Sequence, residues 1–232
     1  MSHGFLQYGH PDQDDMTSTR TPKPQTVLDK QNKAVQKVAK SAAQEIRLIG
    51  GIWRRTPLPV PASAGLRPTP SRVRETLFNW LGQDLSGWKV LDAFAGSGAL
   101  GLEAASRGAT EVWLLERESD LVRRLQATQA RLKAEQVHIV RTDALSWMHQ
   151  PLRLGYFDLV FLDPPFDDNL FWAALEAALL CVPIGGWIYL ESPTPLASLP
   201  QAETKVDVMA CLQVHRSGQA GTVHFHLLRR VG

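Results

Sequence analysis

The chain has 232 residues, of which 44% are hydrophobic and 21% are charged, a length and composition that suit one α/β domain with short appendages. Its net charge of +2 is too small to indicate a nucleic-acid partner by itself. The two cysteines and the scattered histidines, without CxxC or HExxH spacing, argue against a disulfide framework and a metal site. No apolar run reaches the roughly 18 residues that a membrane span needs, and no secretory signal is recognisable, so we expect a cytoplasmic protein.

The first part of the chain differs in composition from the rest. Residues 1–44 are polar, and we predict a flexible tail there, followed by one domain over residues 45–232. Within that domain, residues 45–85 form an N-terminal extension and residues 86–232 form the core. The stretch from Ile46 to Arg74 contains six arginines and no acidic residue. Such a stretch suits either contact with phosphates or a solvated surface, and charge alone does not decide between them.

Strands and helices alternate over most of the chain. Thr69 is predicted to cap a helix in which Pro70 occupies the first position, where proline is favoured. Beyond Gly87, short apolar runs alternate with amphipathic segments, which indicates a parallel sheet covered on both faces. The predicted strands are 88–93, 111–116, 137–141, 158–162, 186–191, 205–214 and 222–228, and the predicted helices are 70–81, 100–107, 119–133, 144–149 and 170–181.

A strand, a glycine loop and a helix follow one another in the run KVLDAFAGSGALG at residues 89–101. Gly96 and Gly98 allow the backbone to turn sharply and to approach a ligand closely. Gly96, Gly98 and Gly101 also fit the GxGxxG spacing of dinucleotide-binding proteins, so the spacing alone does not select the ligand. Asp92 would repel a pyrophosphate in this loop, but it can accept a hydrogen bond from an amino-acid ammonium group. The pattern therefore favours S-adenosylmethionine (SAM), which carries no phosphate.

Two further acids stand at the ends of the next predicted strands. Glu116 can accept hydrogen bonds from both ribose hydroxyls, as an acid at this position does in dinucleotide-binding folds. Asp143 can accept from the adenine amino group, or it can simply cap the helix that begins after it. Three acids and a glycine loop at successive strand ends are hard to explain as helix caps alone.

The run FDLVFLDPPF at residues 157–166 carries the strongest indication of chemistry. Its apolar part is typical of a buried parallel strand, and Pro164 and Pro165 force the chain out of the sheet directly after Asp163. In open α/β sheets, ligands bind at this edge. Phe166 offers a stacking face and Asp163 can accept from an exocyclic amino group, so the site suits a flat, aminated heterocycle.

Together these motifs resemble those of class I SAM-dependent methyltransferases. The resemblance is closer to the RsmD-type bacterial 16S rRNA (guanine-N2)-methyltransferases, and it covers roughly residues 46–228. The DPPF tetrad alone is common to many amino-group methyltransferases, whereas the segment that precedes the first helix is more specific. The markers are RLIGGIWRR at 47–55, LRPTPSRVRETLFN at 66–79, DAFAGSG at 92–98, DPPF at 163–166 and YLE at 189–191.

The resemblance implies a Rossmann-like α/β fold with a seven-stranded, mostly parallel sheet, an antiparallel last strand and helices on both faces. It implies SAM as methyl donor without a metal, and 16S rRNA or a small-subunit assembly particle as partner. We also expect a monomer and no membrane contact. The expected cofactor residues are Asp92, Phe94, Gly96, Gly98, Glu116, Asp143 and Ala144, with Arg67 and Thr69 closing over the methionine end. Asp163, Pro164 and Phe166 are expected at the target base, and Arg47, Arg54 and Arg55 at RNA phosphates.

The expected mechanism orients the exocyclic amine of the base. One N–H donates to the Asp163 carboxylate and the other to the Pro164 carbonyl, which turns the nitrogen lone pair toward the methyl group. No separate general base is evident in the sequence.

Other functions also fit the motifs. The same site could methylate another amino group, of a DNA adenine or a protein glutamine, and the arginine-rich segment favours nucleic acid without separating RNA from DNA. A non-catalytic RNA-binding assembly factor is a third interpretation, against which the intact cofactor acids and DPPF tetrad argue. The chain departs from the family in its longer tail and in residues 216–223, which look like a small insertion before the last strand.

Overall fold

The computed structural model of the chain describes residues 45–59, 69–165, 168–198 and 205–232. The tail predicted over residues 1–44 lies outside them. The described residues all belong to one compact unit, Ala43–Gly232, which contains a short ribbon and a larger sheet with its helices.

The ribbon forms the start of the N-terminal extension. Strands β1 (Glu45–Arg47) and β2 (Pro57–Pro59) run antiparallel, with Ile46 opposite Leu58. Leu58 is fully buried in the hydrophobic core, so the ribbon is packed against the domain rather than extended into solvent.

Helix α1 (Ser71–Leu81) confirms the first predicted helix, but its start differs from the prediction. Pro70 precedes the first turn with an extended backbone, ψ 147°, and no side chain caps this end. Thr69 is therefore not the cap, because its hydroxyl lies against the carboxylates of Glu191 and Asp163 instead. Pro70, which separates Thr69 from the helix, has no N–H. Leu77 and Phe78 bury one face of α1.

The remaining elements form a central sheet with helices around it. The strands are β3 (Lys89–Asp92), β4 (Glu111–Glu116), β5 (Val137–Arg141), β6 (Leu159–Leu162), β7 (Trp187–Ser192), β8 (Leu212–Ala220) and β9 (Val223–Arg230). The helices are α2 (Ala99–Ser106), α3 (Ser119–Leu132), α4 (Ala144–Met148), α5 (Asp168–Cys181) and α6 (Val206–Ala210), with 3-10 turns at Pro151–Arg153 and Leu196–Ser198.

The strand order is β5-β4-β3-β6-β7-β9-β8, which confirms the predicted fold class. Strands β3 to β7 run parallel to one another, and β9 runs antiparallel to both β7 and β8. The order reverses between β3 and β6, so β3 and β6 flank the crevice where open α/β sheets bind ligands.

Burial on both faces of the sheet explains the continuous apolar run of β6. Val160 and Leu162 pack into one hydrophobic cluster with residues of α4 and α5, and Phe161 packs into the other with residues of α1, α2 and α3. All four residues of β6 are fully buried. The strand that leads to the DPPF tetrad is therefore held rigidly from two sides.

The last part of the chain differs from the prediction. Residues 205–214 were predicted as a strand, but they form α6 and only the start of β8. The alternation of Val206 and Val208 suggests a strand, whereas Val208 and Met209 pack side by side against the core from one helical turn. Residues 216–220 belong to β8, which pairs with β9 through a bulge at His215, so the segment that looks like an insertion is part of a β-hairpin. Whether it is an insertion relative to the family stays a prediction.

No helix within the described part of the chain is both long enough and apolar enough to cross a membrane.

Candidate active site

Three acids meet where neighbouring strands of the sheet end. Strands β3, β6 and β7 lie side by side, and Asp92, Asp163 and Glu191 stand at or just beyond their carboxyl ends. Asp92 is only 2% exposed and Glu191 only 4%, while Asp163 is half-buried. The structure thus brings two predicted site residues together and adds Glu191, to which the sequence assigned no role.

Asp92 also holds the first turn of α2 in place. Its Oδ2 accepts a hydrogen bond of 3.0 Å from the Gly101 N–H. A Cβ at Gly101 would lie 2.2 Å from Leu114 Cδ2, so any other residue here would have to displace this buried leucine. Burial raises the pKa of Asp92 to about 7, the Gly101 hydrogen bond opposes the rise, and Glu116 and Glu191 add to it. A cation placed beside Asp92 would relieve this repulsion, which suits the ammonium group predicted for the ligand.

The glycine loop is fixed by the acid that ends β4. Gly96 donates its N–H to Glu116 Oε2 at 3.0 Å, and Glu116 Oε1 accepts from the Glu118 N–H at 2.9 Å. Gly98 has a left-handed φ of 77°, and a Cβ there would lie 2.7 Å from Leu125 Cδ2. Each carboxylate oxygen accepts more than one hydrogen bond, so Glu116 retains capacity for ribose hydroxyls.

Asp143 caps helix α4. Its Oδ1 accepts from the Ser146 N–H at 2.9 Å, and this bond lowers the pKa of Asp143 below its usual value. The sequence left the cap and the adenine contact open, and the structure shows the cap. Ala144, the next residue, is buried at the first turn of α4. A contact of Asp143 or Ala144 with adenine stays a prediction.

Thr69 lies between two of the three acids. Its hydroxyl donates to Glu191 Oε1 at 3.0 Å and is 3.5 Å from Asp163 Oδ2. The Tyr189 hydroxyl donates to the same Glu191 oxygen at 2.9 Å. Thr69 and Tyr189 are both buried. Glu191 thus accepts hydrogen bonds from a threonine and a tyrosine, and the threonine also lies next to Asp163.

Burial and mutual repulsion at the site favour the protonated, neutral forms of its acids. Burial raises the pKa of Asp163 well above its usual value, and repulsion from Glu191 and Asp92 raises it further, with the Thr69 hydroxyl opposing. The pKa of Tyr189 is also raised well above its usual value, chiefly by burial and then by Glu191. Tyr189 therefore remains a neutral donor. A positively charged or amino-bearing ligand would compensate the acids.

The other predicted site residues are placed as follows. Phe94 is half-buried and packs against the core cluster that includes α4 and α5. Pro164 is buried directly after Asp163. Arg67 and Phe166 lie outside the described residues, so their roles stay predictions.

The three predicted RNA-contacting arginines come together on the N-terminal extension. Arg47, Arg54 and Arg55 are exposed, and Arg47 Nη1 donates to the Arg55 carbonyl at 3.2 Å. The turn between them docks on α2, since Ile52 N–H donates to the Ser106 carbonyl at 2.8 Å. It is therefore held to the helix that begins at the glycine loop.

Two glycines make this docking possible. Gly51 has a φ of +71°, and a Cβ there would lie 1.7 Å from the Ser106 carbonyl oxygen. A Cβ at Gly50 would lie 2.3 Å from Arg107 Nη2. The backbone of the turn thus approaches α2 more closely than any side chain permits.

A buried charge network, not predicted from the sequence, lies beneath the turn. Glu103 accepts the N–H groups of Ile49 and Gly50, each at 2.7 Å. The same carboxylate pairs with Arg107 at 2.8 Å and lies 3.5 Å from Arg74 Nη1. The side chains of Glu103 and Arg74 are 0% exposed. Glu103 therefore joins the turn, α1 and α2 from inside the protein.

Comparison with known proteins identifies the family. A family model described as "Conserved hypothetical protein 95" matches residues 46–229. Ribosomal RNA small subunit methyltransferase D of Escherichia coli K12 is 40% identical over 195 residues, which cover 82% of this chain and 92% of that protein. The chain belongs to the RsmD family of methyltransferases. The protein of the same name in Haemophilus influenzae is 46% identical over 143 residues, 61% of this chain and 73% of that protein.

Solved structures agree with this assignment. A putative methyltransferase from Escherichia coli has a TM-score of 0.68 and 38% identity, covering 82% of this chain and 99% of that chain. A putative methylase from Haemophilus influenzae has a TM-score of 0.66 and 32% identity, covering 82% of this chain and 100% of that chain. The resemblance inferred from the motifs is thereby confirmed, and the chain is a methyltransferase.

Sequence reasoning missed Glu191 and Tyr189 as parts of the site. Both fall in the YLE marker of the RsmD family, but the marker alone assigned them no contact. A signal was present, because Glu191 ends a predicted strand next to the one that leads to Asp163. What the sequence could not show is that Thr69, distant in the chain, would reach both acids.

Proposed function

We propose that the protein transfers the methyl group of SAM to the N2 amine of a guanine in the 16S rRNA of the small ribosomal subunit. The observation that carries the proposal is the glycine loop after β3 lying beside the Asp163-Pro164 turn after the neighbouring β6. Relatives named for small-subunit ribosomal RNA support the choice of substrate. Such a substrate would place the reaction in the cytoplasm.

The residues at the strand ends fit SAM. The strand ends around the glycine loop carry acids rather than phosphate-binding cations. Asp92 is an acceptor suited to an ammonium group, Glu116 to ribose hydroxyls and Asp143 to an adenine amine. When bound, SAM supplies an electrophilic methyl group on a cationic sulfonium. We propose that Phe94, Gly96, Gly98 and Ala144 complete this site, with Arg67 and Thr69 at its methionine end.

The protein's part in the reaction is to orient the base. We propose that the Asp163 carboxylate and the Pro164 carbonyl accept the two N–H groups of the guanine amine, with Phe166 stacked on the ring. This arrangement turns the nitrogen lone pair toward the methyl group. Since only the ionised form of Asp163 accepts from an amine without competing as a donor, turnover should rise with pH.

The exposed arginine turn is proposed as the RNA contact of the extension. Changing both Arg54 and Arg55 to alanine should weaken RNA binding about tenfold at moderate salt, because each arginine releases counterions on meeting a phosphate. The slope of log affinity against log salt should fall by about two. Filter binding or fluorescence anisotropy over a salt series measures both quantities.

The matched control is Arg123→Ala, which removes another exposed arginine, one that lies on α3. It should leave affinity and slope unchanged. If the double variant binds RNA as the wild type does, the turn is a solvated surface and not an RNA contact.

The substrate is tested by transfer of label from methyl-labelled SAM. Naked 16S rRNA, assembled small subunits, DNA and bulk protein are supplied separately, each from cells that lack this gene. Nucleoside digestion should find the label in N2-methylguanosine from one of the two ribosomal substrates, and the preferred one distinguishes free rRNA from an assembly particle. Label only in adenine of DNA or in protein glutamine would overturn the guanine assignment, and no label anywhere would favour a non-catalytic assembly factor.

A further inference from the structure

Glu191 is a buried acid that the mechanism so far does not use. It is 4% exposed, and its Oε1 accepts from the Tyr189 hydroxyl at 2.9 Å and the Thr69 hydroxyl at 3.0 Å. The Thr69 oxygen is in turn 3.5 Å from Asp163 Oδ2. A single hydroxyl thus links the partly accessible acid at the base site to an acid sealed inside the protein.

The proposed reaction needs a destination for one proton. When the guanine N2 nitrogen forms its bond to the methyl carbon, the sulfur of the donor keeps the electron pair of the broken S–C bond. The nitrogen is then left with one hydrogen too many for a neutral secondary amine. That proton must leave the nitrogen for either water or a side chain of the protein.

We propose that Asp163, Thr69 and Glu191 form a proton relay that takes up this proton, an inference that rests on the proposed methylation of an amine. The nitrogen gives its proton to the Asp163 carboxylate. Asp163 passes a proton to Thr69 Oγ1 while the Thr69 hydroxyl proton moves to Glu191 Oε1. Asp163 is again a carboxylate, Glu191 is a neutral acid, and the proton leaves to solvent once the RNA has departed.

Several acids and hydroxyls meet at the relay. Asp92 on β3, Asp163 after β6 and Glu191 on β7 are acids, and the hydroxyls of Tyr189 and Thr69 donate to Glu191. Burial and mutual repulsion raise the pKa of Asp163, so one added proton stabilises the cluster rather than straining it. Tyr189 cannot be the acceptor, because its own pKa is raised and its hydroxyl already donates to Glu191.

The geometry assigns distinct roles to the three residues. Asp163 touches the base, Thr69 carries the proton, and Glu191 stores it. Thr69 is suited to the middle position because a hydroxyl accepts and donates at once, which valine cannot do at the same size. Glu191 is suited to the end position because a carboxylate can take up a proton. Glutamine, with nearly the same shape, would still accept the two hydrogen bonds but could not take up the proton.

The test compares Thr69→Val, Thr69→Ser and Glu191→Gln with the wild type. Thr69→Val and Glu191→Gln should lower kcat about 10-fold to 100-fold, within the range of general acid–base catalysis, with KM for RNA little changed. KM for SAM should rise in Thr69→Val alone, since Thr69 is also proposed at the methionine end of the cofactor site. Thr69→Ser should restore kcat because it keeps the hydroxyl. In Glu191→Gln the rise of kcat with pH should move to lower pH, since one repelling charge is gone.

Infrared spectra of the protein alone give a readout apart from activity. The wild type should keep a carboxylic-acid C=O band at a pH at which ordinary carboxyl groups are ionised, and Glu191→Gln and Asp163→Asn should each weaken it. Circular dichroism of every variant shows that the fold is retained, which matters because Thr69 is buried.

The outcomes separate the relay from the reaction on which it rests. Wild-type kcat and pH profile in Thr69→Val would overturn the relay, and so would a change confined to KM for SAM, which would make Thr69 a cofactor contact only. If the label appears in another amine while Thr69→Val is slow and Thr69→Ser is normal, the relay stands and the guanine assignment fails.

Discussion

Replacing Asp163 with alanine should abolish turnover, with a loss of about 1,000-fold or more in kcat, while SAM binding largely survives. The variant removes the acceptor for the base amine and the entrance of the relay, both of which act on the reacting nitrogen. The strand that precedes Asp163, β6, is buried on both faces, so we expect it to stay in place. Single-turnover transfer of labelled methyl measures the first effect, and calorimetric titration with SAM measures the second.

The matched control for this loss is Asp120→Ala, which removes an exposed acid from α3. It should leave kcat and SAM affinity as they are in the wild type. Near-normal turnover in Asp163→Ala would refute the role of Asp163, and loss of SAM binding to the same degree as turnover would move Asp163 to the cofactor site.

The charge of Asp163 should lower the stability of the ligand-free wild-type protein, and a substitution that removes the charge should reveal this. The folded-state pKa of Asp163 is raised above its unfolded value, so the folded state is favoured at low pH and loses that advantage as pH rises through the folded pKa. Asp163→Asn removes the charge at nearly constant shape. It should therefore stabilise the ligand-free protein more at pH 8 than at pH 5. Thermal unfolding at the two pH values measures this as the difference in Tm between the variant and the wild type. Equal effects at both pH values would contradict the proposed repulsion among the acids.

The role of Asp163 in turnover and its unfavourable effect on the stability of the ligand-free protein have the same cause. The acids that make the ligand-free site costly are the same ones that an ammonium group, a sulfonium and a base amine would compensate. Repulsion among the acids at the ends of β3, β6 and β7 destabilises the ligand-free protein. A cationic or amine-bearing ligand relieves this repulsion, so the site favours such a ligand.

The sequence predicted the sheet and the position of the base site because both depend on local signals. The apolar run before Asp163 and the two prolines after it mark a buried strand that ends abruptly, and β6 has this form. The glycine loop after β3 was predicted for the same reason, since Gly98 shows the left-handed φ that only glycine adopts readily.

Features that depend on contacts between distant segments were not predictable in this way. Thr69 has the spacing of a helix cap, and only the fold shows that Glu191 competes for its hydroxyl. Helix α6 is too short for a periodic pattern, so the sequence did not distinguish it from the strand predicted over residues 205–214. Arg74 and Glu103 are charged residues that a sequence assigns to the surface by default, yet both are buried as partners.

The buried network at Glu103 should contribute strongly to the stability of the fold. Glu103→Ala would leave Arg74 and Arg107 buried without their counter-charge and the N–H groups of Ile49 and Gly50 without an acceptor. Removing one partner of a buried ion pair costs about 3 to 5 kcal/mol. Urea unfolding, with the slope compared to that of the wild type, measures the loss.

Glu118→Ala provides the control, because Glu118 forms an exposed pair with Arg117 in which its side chain is 66% accessible. It should change stability by about 0.5 kcal/mol or less. A similarly small effect of Glu103→Ala would show that the two arginines reach water or other acceptors. The network would then not stabilise the contact between the turn, α1 and α2.

Glu103→Gln tests whether the network also serves the reaction. Glutamine keeps one acceptor oxygen but not the charge, so one of the Ile49 and Gly50 amides loses its partner and the turn that bears Arg54 and Arg55 should loosen. RNA affinity should then fall several-fold more than SAM affinity, because the glycine loop is held separately by Asp92 and Glu116. Equal losses of both affinities would mean that α2 moves as a whole, and that the turn and the cofactor site depend on Glu103 alike.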